Sequence, residues 1–109
     1  MDMARQHDLR VLLDLHAAPG AQNASNHSGN GNTGRIQWYQ RANQQKTTQI
    51  LLDIADEYGG HPALWGIELL NEPLVNTRRE KFRLQVLLNM MKEIGEFRHT
   101  LEHYTLLWI

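Results

Sequence analysis

The sequence contains no cysteine, which removes disulfides, thiolate metal centres and cysteine nucleophiles and leaves the redox compartment open. It also lacks an excess of either charge: 11 basic and 12 acidic side chains are interspersed and leave a formal net charge of -1. The basic stripe that a phosphate backbone requires is therefore missing, and nucleic acid is not an expected partner. No run approaches the ~20 apolar residues of a membrane-spanning helix. Met1 to Asp8 is charged where a secretory leader would carry an apolar core. Neither a membrane partner nor an address is expected from this chain. What is present is an ordinary globular balance, 41% hydrophobic and 21% charged over 109 residues, enough for one small domain.

Asp2 to His7 reads as the end of a helix. Leu9 to His16 follows as a nearly unbroken apolar strand of the kind buried on both faces of a parallel sheet. From Ala17 to Gly34 the chain turns to Gly, Asn and Ser, with Pro19 and four glycines, an irregular segment of a length that is usually functional inside a compact domain. Two Asn-x-Ser triplets begin there, at Asn23 and Asn26. Such loops generate these triplets by chance, and a glycan would obstruct a reacting loop, so neither is read as an acceptor. Ile36 to Tyr58 is expected as a helix with Ile50, Ile54 and Tyr58 on one face beside Leu51 and Ala55, stopped by Gly59-Gly60 and Pro62. Ala63 to Leu70 is the second buried strand. The capping box Thr77-Arg78-Arg79-Glu80 opens another helix, with Phe82, Val86, Met90 and Ile94 recurring every four residues, and Tyr104 to Ile109 is a third strand. The alternation of helix and strand is the repeating unit of a parallel α/β fold, without internal repeat or linker.

His16 and Asn71-Glu72 stand at the carboxyl ends of consecutive expected strands, where parallel α/β proteins place reacting groups because the strand ends are rigid and the loops are free to vary. By position alone, Glu72 could equally be a solvated loop acid or a carboxylate bonded to nearby backbone amides. Asp14 and Glu68 share strand parity with His16 and Glu72 and are expected to face the same interior, where a buried carboxylate needs a cation or donor.

The segments Leu13-Asp14-Leu15-His16-Ala17-Ala18-Pro19-Gly20-Ala21-Gln22-Asn23 and Trp65-Gly66-Ile67-Glu68-Leu69-Leu70-Asn71-Glu72-Pro73, with Gly59-Gly60 between them, resemble glycoside hydrolase family 5, and within it the exo-β-1,3-glucanase and glucosidase branch. The resemblance implies a (β/α)8 barrel of which residues 1–109 form a single-domain fragment, from the end of helix two to strand five. A whole barrel takes about 250 residues. It also implies a retaining glycosidase with Glu72 as acid/base, protonated when the glycosidic oxygen departs and ionised when water attacks. Asn71 then matches the amide that binds the sugar 2-hydroxyl and His16 a histidine lining the same subsite. Asn26 and His27 fall in a stretch that helps form sugar-binding subsites. The fungal enzymes carry Phe-Asp-Asn-Ser-Gly where this chain has Ser25-Asn26-His27-Ser28-Gly29, so the linkage cleaved stays open. The nucleophile, about 5 to 5.5 Å from the acid/base in a retaining enzyme, belongs to strand seven and is expected outside this chain. The implied partner is a β-glucan or β-glucoside, the implied location extracellular or cell-wall associated, and no metal or organic cofactor is implied.

Three other readings compete with this one. Gly29-Asn30-Gly31-Asn32-Thr33-Gly34 fits the Gly-x-Gly-x-x-Gly dinucleotide fingerprint, but it lies too far beyond Leu15 for the direct strand-to-helix turn that fingerprint requires. His99 and His103 share a helical face without a third ligand and fit a solvated helix end better than a metal pair. A catalytically inactive carbohydrate-binding or truncated relative remains the alternative to an enzyme. As an isolated piece the chain is expected to leave strand edges and helix faces uncovered and to fold poorly alone.

Overall fold

A computed structural model describes residues 1–29 and 35–74 and the backbone of 105–107. The elements run α1 (Asp2–Gln6), β1 (Val11–Asp14), α2 (Arg41–Tyr58), β2 (Leu64–Glu68) and β3 (Thr105–Leu107). The strands form one parallel sheet in the order β1-β2-β3. This is the expected α/β arrangement of parallel strands with a helix between the first two. The expected helix from Thr77, the histidines His99 and His103, and Asn30 to Gly34 of the glycine fingerprint lie outside the described residues. Among the described residues no helix is long and apolar enough to cross a membrane.

Both flanking strands pair with β2, and its register fixes where the site can form. Leu13 lies opposite Ile67 and Asp14 opposite Glu68, while Ile67 and Glu68 in turn oppose Leu106 and Leu107. A shift between Val11 and Leu12 skips Trp65, so one side chain of β2 escapes the alternation, and Trp65 is exposed between the buried Leu64 and Gly66. The first strand is shorter than expected, and Val11, Leu12 and Leu13 are half-buried rather than enclosed on both faces. The reason is its place at an edge of the described sheet, with a paired neighbour on one side only.

The helix also begins later than its composition suggests, at Arg41 rather than Ile36. The intervening backbone is claimed by the loop that precedes it: the Gln37 N–H donates to the Gly20 carbonyl at 2.6 Å and the Trp38 N–H to the Ala21 carbonyl at 3.3 Å. These ties hold residues 37–38 against the loop, and Gln40 stays extended at φ -73° and ψ 135°, so the helix winds only from Arg41. Trp38 is driven into the core by the same ties. It is fully buried, sits edge-on to Tyr39, and donates its indole N–H to the Thr47 hydroxyl at 3.0 Å, while that hydroxyl donates to the Asn43 carbonyl at 2.8 Å. Thr47, Leu51 and Ala55, one per turn, are the buried centre of α2, so its inward face is turned from the expected Ile50-Ile54-Tyr58 line, of which Ile54 and Tyr58 flank the core. The helix packs through Leu51 and Ala55 on Leu64, Ile67 and Leu69 of the second strand and its extension. At its end Gly59 closes the last turn on the Ala55 carbonyl.

Thr47 thus holds a buried donor that has no alternative partner once the hydroxyl is gone. Thr47→Val should lower unfolding stability by about 1–3 kcal/mol, the cost of a stranded buried N–H, whereas Thr47→Ser should retain most of it. Denaturant midpoints of the two variants, made in the complete catalytic domain carrying this chain, measure this, and equal stability of Val and Ser would refute the role.

Candidate active site

The sheet ladder continues past both strands for two more hydrogen bonds. The Leu15 N–H donates to the Glu68 carbonyl at 3.2 Å, and the Leu15 carbonyl accepts the Asn71 N–H at 3.1 Å. A regular parallel ladder would bring the residue-70 N–H to that carbonyl. The step to Asn71 inserts one extra residue at Leu69-Leu70, both of which are buried. Glu68 and Glu72 therefore do not share the uninterrupted parity that a straight strand would give them. Beyond the bulge Glu72 takes a left-handed backbone, φ 42°, a conformation that costs a non-glycine residue about 1–3 kcal/mol and concentrates at functional sites.

Asp14 and Glu68 do share a face, being register partners on adjacent strands. Two carboxylates are thus placed side by side. Glu68 is buried, and burial first, then the charge of Asp14, push its carboxyl above the ordinary glutamate range, with His16 pulling the other way. The partner of Asp14 is not on a neighbouring strand but just beyond its own: its Oδ2 lies 2.6 Å from Nδ1 of His16. With a carboxylate as the partner, Nδ1 is the donor, and Nε2 is the atom His16 has left to offer a ligand. The His16 ring lies 5.1 Å, centroid to centroid, from that of His27, whose Nε2 is 3.8 Å from Oε2 of Glu72. The Glu72 side chain is 69% exposed and that of His27 34%. The inner nitrogen of His27, Nδ1, is buried without a hydrogen-bond partner. Of the residues singled out in the sequence, His16, His27 and Glu72 are brought together. Asn71 adjoins them through the chain, and Asn26 is exposed on the same loop with no hydrogen bond to the others among the described residues.

Two residues that the sequence presents only as part of a motif hold this arrangement. Gln22 is fully buried. Its Nε2 donates to the His16 carbonyl at 2.7 Å and to the Asn71 carbonyl at 3.1 Å, and its Oε1 accepts the Ala18 N–H at 3.1 Å. Asn23, also buried, donates from Nδ2 to the Glu72 carbonyl at 2.9 Å and accepts the Ser25 N–H at 2.9 Å. The Leu74 N–H returns to the Gln22 carbonyl at 3.0 Å. Burial of Asn23 removes it as a glycan acceptor in the folded protein. Ser28 ties the loop further by its hydroxyl to the carbonyls of Asn23 and Ser25. Gly29 lies so close to Ala18 that a β-carbon would overlap the Ala18 carbonyl, which accounts for glycine at that position. The available signal was a pair of amide side chains, Gln22-Asn23, in a loop between two strands, a pattern suited to bonding stray backbone groups.

Among the described residues no group of three or more His, Asp or Glu is disposed to hold a metal ion. An open hollow lined by Arg5, Asp8, Arg10 and Pro62 lies at the amino-terminal ends of the strands, the opposite end from Glu72.

The family model for cellulase, glycosyl hydrolase family 5, matches residues 1–98. Among similar proteins, a glucan 1,3-beta-glucosidase of Blumeria graminis is 42% identical over 74 residues, 67% of this chain and 17% of its own length. One of Schwanniomyces occidentalis is 42% identical over 77 residues, 68% of this chain and 18% of its own. Glucan 1,3-beta-glucosidase 1 of Schizosaccharomyces pombe is 39% identical over 74 residues, 65% of this chain and 18% of its own. The chain spans less than a fifth of the length of these relatives.

The Glu68 environment carries a pH signature. A carboxyl whose folded value is raised favours the folded state while protonated, so its contribution is full below the ordinary glutamate range and is lost as pH rises through the raised value. Glu68→Gln should flatten that decline in unfolding stability while leaving stability at low pH nearly unchanged. An unaltered slope across the weakly acidic range, measured by denaturation at stepped pH, would overturn this.

Proposed function

The chain belongs to glycosyl hydrolase family 5, and on that premise we propose that it forms part of an enzyme hydrolysing β-glucosidic bonds in glucans by a retaining double displacement, with Glu72 as acid/base. The observation that carries the proposal is the placement of Glu72: an exposed carboxylate on a left-handed turn just past a central parallel strand, 3.8 Å from His27. A parallel sheet presents its chemistry at the carboxyl ends of its strands, and the strained, tied backbone aims this one side chain outward. In the first half of the reaction the protonated Glu72 carboxyl donates its hydrogen to the departing glycosidic oxygen. In the second the carboxylate takes a proton from the attacking water. The nucleophile is assigned outside this chain, in the remainder of a (β/α)8 barrel of which residues 1–109 supply the third to fifth strand units.

Asn71, His16, Asn26 and His27 are proposed as substrate-binding residues. His16, with Nδ1 engaged by Asp14, turns Nε2 to a sugar hydroxyl, and Asn71 offers its amide beside Glu72 to the 2-hydroxyl. The names of the relatives support a 1,3-linked glucan. An extracellular or cell-wall setting is proposed on the same ground. A non-catalytic, carbohydrate-binding relative is the reading to which failure of the following test would return.

In the complete catalytic domain carrying this chain, Glu72→Gln should cut hydrolysis of β-glucosides with poor leaving groups by about 100-fold or more, the usual scale of a general acid. The first step on activated aryl glucosides should be largely spared. Equal losses on both classes would speak against the acid role.

A further inference from the structure

Resting on the acid/base assignment of Glu72, we propose that Gln22, seconded by Asn23, is a positioning residue that sets where the Glu72 carboxyl stands relative to His16. Gln22 touches no reacting atom. Its carboxamide uses both N–H groups and its oxygen, and only one orientation satisfies all three partners: turned over, it would set its oxygen against the carbonyls of His16 and Asn71 and its amide against the Ala18 N–H. Two of those partners belong to the residues that carry the site, one on each strand extension. The distance between the turn after β1 and the turn after β2 is therefore spanned by a single buried side chain. The next residue repeats the device one position further along, Asn23 to the Glu72 carbonyl at 2.9 Å, and the Leu74 N–H closes back on Gln22 at 3.0 Å. Residues 71–74 are thus gripped at three backbone groups by 22–23. The left-handed φ of Glu72 lies inside that grip, so loosening it allows the backbone to relax toward the ordinary region and carries the carboxyl with it.

A displaced general acid affects most those substrates that need protonation of the leaving group, and a misplacement of about 1 Å is worth on the order of 100-fold. A merely structural role would instead lower the active fraction and reduce all substrates alike. The test is carried out in the complete catalytic domain carrying this chain, with kcat/KM measured on phenyl and dinitrophenyl β-glucosides. Gln22→Glu keeps the acceptor for Ala18 and removes both donors. It should lose about 100-fold on the phenyl substrate and less than about 10-fold on the dinitrophenyl one. Asn23→Ser, whose shorter side chain keeps a hydroxyl beside the Ser25 N–H but no longer reaches the Glu72 carbonyl, should show the same selectivity at about 10-fold on the phenyl substrate, and it decides the matter where Gln22→Glu does not fold. An active wild type whose folded variants lose both substrates equally, or lose neither, overturns the positioning role alone. Failure of both variants to fold makes the pair a folding element and overturns it too. A wild type inactive on both glucosides overturns the proposed function and this assignment with it.

Discussion

One buried carboxamide holds together the end of the molecule where the chemistry would occur. A parallel sheet satisfies its own backbone only as far as its strands run in register, and here the ladder ends at Leu15 and Asn71. Beyond that point the carbonyls of His16, Asn71 and Glu72 still need donors, because a buried polar group left unpaired costs as much as a lost hydrogen bond. Gln22 and Asn23 supply those donors from within a loop that would otherwise be free to wander. Closing that loop is what brings His27 within reach of Glu72 and its ring against that of His16. The same loop also supplies the carbonyls of Gly20 and Ala21 that hold Gln37 and Trp38, so the clamp and the core under α2 are two ends of one constraint.

The electrostatic pattern follows from the register. Pairing Asp14 with Glu68 sets like charges on neighbouring strands, an arrangement that disfavours the charged form of the buried Glu68. The two are resolved differently. Asp14 reaches the rim and bonds His16, while Glu68 stays buried and is pushed toward its protonated form. The Asp14 carboxylate is left to orient the His16 ring. The Nδ1 proton of His16 is therefore held by a residue two positions earlier in the chain.

Much of the fold could be read from composition. Leu12-Leu13 and Ile67 are apolar because they lie in a parallel sheet, and the stop at Gly59 is a helix-ending signal that local chemistry alone explains. The site residues His16 and Glu72 were legible because strand ends are where a parallel sheet exposes side chains, and the motifs around them resemble a known family. What composition could not disclose depends on partners distant in sequence. The helix starts at Arg41 because Gly20 and Ala21 capture Gln37 and Trp38, a contact no local propensity encodes. Glu68 and Glu72 lose their common parity because one residue bulges out of the ladder between Leu15 and Asn71. Gln22 and Asn23 look like ordinary loop amides until the carbonyls 49 residues away are seen opposite them.

The left-handed backbone at Glu72 can be weighed against what holds it. A non-glycine residue there costs about 1–3 kcal/mol. Three hydrogen bonds tie residues 71–74 to 22–23, each contributing about 0.5–1.5 kcal/mol net. The two totals overlap, so the grip and the strain are of the same size. Relief was chemically available, since glycine at position 72 would adopt this φ without penalty. Glycine carries no carboxyl, however, and an ordinary backbone would not aim one from this turn. The chain therefore keeps an acid in a conformation that suits glycine and offsets the strain with side chains drawn from another loop. Stability alone does not explain that combination; the acid/base role proposed for Glu72 would.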